Sequence, residues 1–274
     1  METSGRSWAG TPSACLASRP CLPLLLCGLL AGLAAGGSGR GGDERPRTGL
    51  CRVRFDGLPV KRDCWVYLPK RFDKTKRYPL VVVLHPAGLR GHRFAKIWGE
   101  VADHADEFIV LAPECGDEKK RLWKLADEAL VLGTLKRAIE VFPSIDSTRV
   151  LLTGFSQGAN YAYTFGLRNP AHFRAIAVAS GALAARPSPQ ADEILRRAAS
   201  LPVYICHGAL DRHVPVQRAR AARDRLEKFG YRVAYREVPQ LGHFYPPREA
   251  ERIWAWFKLL AAEPKRAPDA PRKQ

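Results

Sequence analysis

Ser156 stands at the centre of Gly154-Phe155-Ser156-Gln157-Gly158, directly after the apolar run Arg149 to Thr153 and before a helix-like stretch. Glycines two residues to either side permit a strand-to-helix turn sharp enough to hold the central side chain up in a strained conformation. A serine presented that way can attack an acyl carbon. Its hydroxyl is a poor nucleophile at neutral pH, so it requires a base, and the base requires an acid to orient it. The partners of such a serine follow in the order Ser, acid, His, each after a later strand. Asp211 lies in His207-Gly208-Ala209-Leu210-Asp211, just past the run Val203 to Cys206, and His243 lies in Gly242-His243-Phe244-Tyr245-Pro246, before the last helical stretch. His207 and His213 flank the acid and read better as structural hydrogen-bonding residues.

Acyl transfer also needs two N–H donors for the oxyanion that develops on the carbonyl. The amide of Gln157, next to the nucleophile, is one expected donor. The other is expected from His85-Pro86-Ala87-Gly88, which follows the run Leu80 to Leu84. Pro86 has no N–H, so Ala87 is the natural donor. His85, Trp123, Phe155 and Tyr245, with Phe244, are expected to line the substrate pocket. This chemistry requires no metal or organic cofactor, and no cysteine pair has zinc-ligand spacing.

These groups need a scaffold that delivers several loops to one edge. Short, often β-branched runs at Leu80 to Leu84, Phe108 to Leu111, Val150 to Thr153, Ala175 to Ala179, Val203 to Cys206 and Val233 to Val238 read as strands, most of them buried on both faces. Helical stretches alternate with them. The clearest is Asp127 to Phe142, with Asp127 as N-cap and Pro143 as its stop. Others run over about 94–105, 159–168, 191–199, 216–229 and 248–260. Alternating strands and helices imply right-handed crossovers and a mainly parallel sheet covered on both faces, an α/β class. Residues 180–201 have room for a loop and one short helix, so no large cap is expected.

The 274 residues, 46% hydrophobic, suffice for one such domain, placed at 49–262. Residues 1–37 carry Arg6 and Arg19, an apolar run from Cys21 to Ala35 and then small residues, which reads as a secretory signal peptide, or alternatively an N-terminal anchor. Export to the cell exterior or periplasm follows, with membrane contact only if the leader is kept. Residues 38–48 read as a flexible linker and 263–274 as a disordered tail. Cys51 and Cys64 flank a turn centred on Gly57-Leu58, a hairpin that would set them face to face, and a disulfide is expected between them. The alternative is two half-buried thiols. The net charge of +17 is spread through helices and tails with no basic stripe interleaved with aromatics, so it reads as a dispersed surface and no nucleic-acid partner is expected.

From about Arg54 to Leu260 the chain resembles small secreted or periplasmic α/β-hydrolases of the carboxylesterase/phospholipase and polyhydroxybutyrate-depolymerase-like group, which includes feruloyl esterases. The resemblance rests on the His-Pro-Ala-Gly loop, the stretch Asp146 to Ala159, the segment His207 to Pro215, and Gly242-His243 with Tyr245-Pro246. Members commonly carry glycine where this chain has Pro86. The resemblance implies Ser156, Asp211 and His243 as a triad, Ala87 and Gln157 as oxyanion donors, and a small-molecule or polymeric ester as substrate. A peptidase or amidase on the same triad, and a non-catalytic binding protein on the same fold, are the alternatives.

Overall fold

Eight strands form one sheet because their runs are apolar on both sides: β3 (Tyr78–Leu84), β4 (Ile109–Pro113), β6 (Ala175–Ala179) and β7 (Val203–Gly208) are buried along their whole length. The computed structural model describes residues 48–105, 107–183 and 188–264. The expected leader, nearly all of the expected linker, and residues 265–274 of the expected tail lie outside them.

With β1 (Gly49–Val53), β2 (Cys64–Leu68), β5 (Ile145–Phe155) and β8 (Val233–Val238), the spatial order is β1-β2-β4-β3-β5-β6-β7-β8. β1, β2 and β4 pair antiparallel, and every pairing from β4 to β8 is parallel. The period-two alternation of strand side chains divides the core in two. Leu80, Val82, Leu152, Ile176 and Ile205 face α2 (Glu128–Val141), α3 (Gln157–Arg168), α4 (Pro189–Arg197) and α5 (Gln217–Lys228). Val81, Val83, Val110, Leu151 and Ala177 face α1 (Gly91–Ala105) and α6 (Glu249–Ala262), whose Trp98 and Phe257 are fully buried.

This topology creates the site. The chain leaves β3 toward α1 on one face and leaves β5 toward α3 on the other. Adjacent parallel strands whose following loops part to opposite faces open a crevice at their carboxyl ends. The loops after β7 and β8 close one flank of that crevice. Those after β3 and β4, with the β1–β2 connection, close the other.

Two expectations are corrected here. Cys51 pairs with Val66 and Cys64 with Val53, and both cysteines are thiols. The hairpin is centred at Leu58-Pro59, one residue beyond Gly57-Leu58, and moving a hairpin's centre by one residue moves its pairing by two. The cysteines become diagonal neighbours, roughly 7–8 Å apart, too far for a disulfide. Asp127 does not cap the amides of α2. Its carboxylate accepts from the Gly116 amide at 3.0 Å and the Lys124 amide at 2.8 Å, tying the β4–α2 loop to the foot of the helix.

Candidate active site

The turn from β5 into α3 puts Ser156 at φ 55° and ψ −121°, a left-handed conformation that costs an L-residue strain. The surroundings hold it there. Ser156 donates its N–H to the Ala179 carbonyl at 2.9 Å, and its own carbonyl accepts from Asn160 at 3.0 Å. The two glycines are required by close approach. A methyl on Gly154 would lie 2.4 Å from the Gly158 carbonyl oxygen, and one on Gly158 would lie 2.3 Å from that of Leu84.

The Ser156 Oγ lies 2.8 Å from His243 Nε2, and His243 Nδ1 lies 2.7 Å from Asp211 Oδ2. An ionised carboxylate only accepts, so Nδ1 carries the proton and donates it, leaving Nε2 to accept from the serine hydroxyl. Burial pushes the Asp211 carboxyl up, but the Val214 amide, His243 and the His213 amide outweigh it and hold the group below its ordinary value. Those amides donate to Oδ1 at 2.8 and 2.9 Å, so the acid is fixed on the side facing away from the imidazole. The imidazole itself lies between two rings: Phe155 at 5.2 Å and His213, nearly parallel, at 5.1 Å. His207 is buried and donates from Nε2 to the Val214 carbonyl at 2.7 Å, bracing the acid's loop as expected of a structural residue.

Gln157 opens α3, so its amide is one of the helix's uncapped N–H groups at the positive end of the helix dipole. Ala87 is exposed in the loop after β3. Among the described residues no protein acceptor takes either amide. The Gln157 side chain does something the sequence did not signal: it bonds the Trp123 backbone twice, accepting from its N–H at 3.0 Å and donating to its carbonyl at 2.7 Å. The nucleophile's turn is thereby tied to the β4–α2 loop.

The expected pocket lining is corrected. His85 is wholly buried; its Nδ1 donates to the Pro86 carbonyl, its Nε2 accepts from the Cys115 amide, and burial pulls its pKa down, so it is a neutral brace for the loop. Trp123 is buried between His85 and Tyr161 and donates to the His85 carbonyl at 2.8 Å. Phe155 packs beneath His243, and Tyr245 meets Phe94 and Phe155 edge-on with its hydroxyl buried. His85, Trp123 and Phe155 are thus buried supports of the site, while the Tyr245 side chain is half-buried. Side chains left open next to His243 and Asp211 in sequence include Phe244, 70% exposed, and Leu210, 61% exposed, with Arg212 and His213 exposed on the same loop as Leu210. Among the described residues no three His, Cys, Asp or Glu side chains cluster as metal ligands.

The helix that follows the His243 loop, α6, is anchored to β7 and β8. Glu249 is fully buried, accepting from Tyr204 Oη at 2.7 Å and from Arg236 Nη1 at 2.8 Å. Arg236 is 34% exposed, so deleting the buried carboxylate costs two hydrogen bonds, one of them charge-assisted, and leaves the buried Tyr204 hydroxyl without its acceptor. Glu249→Ala is therefore expected to lower unfolding stability by about 3 kcal/mol, read as a shifted urea midpoint at unchanged slope. A shift below about 1 kcal/mol would show that the pair is dispensable.

Comparison with known proteins is consistent with this geometry. The phospholipase/carboxylesterase family matches residues 85–261. An acyl-protein thioesterase 1 of Gibberella zeae is 28% identical over 120 residues, 43% of this chain and 51% of that protein, so the match spans about half of the relative's length. Among solved structures, an acetyl xylan esterase from Aspergillus awamori superposes with a TM-score of 0.62 at 16% identity, covering 77% of this chain and 99% of that one. An acylaminoacyl peptidase of Pyrococcus horikoshii gives 0.61 at 14% identity, over 82% of this chain and 43% of that one. At such identities the structural likenesses speak for the fold. The family match runs from the loop histidine to the last helix and takes in Ala87, Ser156, Gln157, Asp211 and His243: the chain belongs to the phospholipase/carboxylesterase family of α/β-hydrolases.

Proposed function

We propose that the chain hydrolyses carboxylic esters through an acyl-enzyme on Ser156, and that the unbroken relay from Ser156 Oγ through His243 to Asp211 carries this reading. Ser156 Oγ attacks the ester carbonyl as His243 Nε2 takes its proton, and Asp211 steadies the imidazolium. The carbonyl oxygen becomes an oxyanion held by the amides of Ala87 and Gln157, at the positive end of α3. His243 then gives its proton to the leaving oxygen, the C–O bond breaks, and the alcohol departs. Water repeats the sequence: His243 takes its proton, hydroxide adds to the acyl carbon, and the carboxylic acid leaves as the proton returns to Ser156. A thioester can pass through the same steps with sulfur leaving, a second reading that the 28% likeness to an acyl-protein thioesterase favours.

Leu210 and Phe244 form the apolar flank on which the acyl chain rests. A fully buried methylene is worth ~0.8 kcal/mol, and half of that on an open flank gives about twofold in kcat/KM per methylene. A series from p-nitrophenyl acetate to octanoate, with one S-acyl thioester beside it, is expected to rise by about that factor per step, and Phe244→Ala to flatten the rise. A flat series in the unaltered protein would remove the acyl role of this flank, and no turnover of any member would remove the esterase reading.

A further inference from the structure

The flank opposite Leu210 and Phe244 has a different chemistry. A cleft of about 320 Å³ runs beside the loop after β3, walled by the β1–β2 connection and the β4–α2 loop. Six cationic side chains line it, Arg52, Arg54, Lys61, Arg62, Arg90 and Arg121, against four carboxylates. Each carboxylate is already engaged. Asp63 holds Arg52 and Arg54 at 2.5 and 2.7 Å, and Glu118 holds Arg62 at 2.5 Å. Asp117 holds Lys124 at 3.0 Å, and Glu114 accepts from Trp65 Nε1 and the Gly91 amide, both at 2.9 Å. Lys61, Arg90 and Arg121 therefore face the cleft with no carboxylate partner among the described residues. Arg62 adds a buried Nε with no acceptor among them.

The cleft is joined to the reaction centre by hydrogen bonds. Gly88 donates its N–H to the Arg121 carbonyl at 3.4 Å, and Arg121 Nη1 donates to the Gly88 carbonyl at 3.2 Å. Arg121 makes these contacts from φ 52°, a conformation an arginine does not adopt without local compulsion. Gly88 follows Ala87, so the basic wall and the proposed oxyanion donor belong to one hydrogen-bonded unit. In the sheet order, β4 and β3 lie on one side of β5 and β7 and β8 on the other. The nucleophile thus sits between the flank that exposes Leu210 and Phe244 and the flank that carries this cleft.

We infer that this cleft binds an anionic oxygen group, a carboxylate or phosphate, carried by the substrate a few bonds from the scissile ester. The inference rests on the esterase reading and names the substrate's other end: apolar acyl chain toward Phe244, anionic leaving portion toward Lys61 and Arg90. Guanidinium and ammonium donors suit such groups, and on exposed side chains such as Lys61 and Arg90 their attraction is weakened by salt.

Lys61 and Arg90 are the residues to test, because their side chains hold nothing else among the described residues. Three acetate esters serve as probes: methyl 4-acetoxybenzoate, which is neutral, 4-acetoxybenzoate, and 4-acetoxyphenyl phosphate. Taking ratios between the double variant Lys61→Gln/Arg90→Gln and the unaltered protein cancels the esters' intrinsic reactivities. The variant is expected to lose about fivefold in kcat/KM on an anionic ester, through KM, while keeping its rate on the neutral one. The unaltered protein's preference for the anion should shrink between 20 and 500 mM salt. Whichever anionic ester responds more separates carboxylate from phosphate recognition. Equal losses on all three esters, or no loss on any, would overturn the inference while leaving the hydrolase intact. Failure to turn over any of them, with Ser156 unreactive to an active-site label, would overturn the esterase reading on which it rests.

Discussion

Ser156→Ala is expected to lower kcat on any ester substrate by about 10⁵–10⁶-fold, with KM little changed. The substitution deletes one oxygen. The amides of Ala87 and Gln157 and the His243–Asp211 pair remain, so the residual rate is what binding and oxyanion stabilisation alone give over water. Alanine keeps the Cβ that already tolerates φ 55° at this position, and the backbone bonds to Ala179 and Asn160 do not involve the side chain. Stability should therefore stay within about 1 kcal/mol of the unaltered protein. The double variant Ser156→Ala/His243→Ala is expected to be scarcely worse than the single one, because groups acting as a unit are not additive. A loss of only about tenfold would mean that Ser156 binds substrate and does not attack it.

Asp211→Asn is expected to cost about 10⁴-fold in kcat. The amide oxygen at Oδ1 can still accept from Val214 and His213, so the loop stays in place, but the amide turned toward His243 can no longer hold a proton on Nδ1 or offset a charged imidazole. The same substitution has a pH signature. The folded carboxyl titrates below its unfolded value, so as pH falls the unfolded chain takes up the proton first. The stability this carboxylate contributes is complete above the ordinary carboxylate range and is lost as pH falls through the lower, folded value. Between pH 7 and 3 the thermal midpoint of the unaltered protein should fall further than that of Asp211→Asn. Parallel curves would show that the carboxylate is not specially stabilised in the fold.

Several features were legible in the sequence because they are local or ordered. The helices and strands from β3 onward follow from period and length, and Ser156, Asp211 and His243 from their arrival after successive strands. What was not legible depends on distance in space. The centre of the β1–β2 hairpin is set by where Gly57 turns within a ten-residue connection, and a one-residue error there misplaces Cys51 against Cys64. The aromatic residues near the motifs were read as pocket lining, whereas Trp123 is stacked between His85 and Tyr161 from separate segments, which spacing cannot show. The Gln157 side chain's grip on Trp123 is equally silent, since only the folded chain brings residues 34 apart into contact. The charge of +17 read as dispersed along the chain, yet Lys61, Arg90 and Arg121 converge on one cleft from three loops. Average charge says little about such convergence, because it depends on the strand order.

The account stands on Ser156 being a nucleophile activated in place, and a fluorophosphonate probe reads that directly. Incubated with the folded protein, the probe should add one phosphonyl group, located by peptide mass mapping on Ser156. Labelling should stop in Ser156→Ala and slow by orders of magnitude in Asp211→Asn. Folded protein that takes up no label, or takes it up at another residue while still hydrolysing esters, would contradict the account.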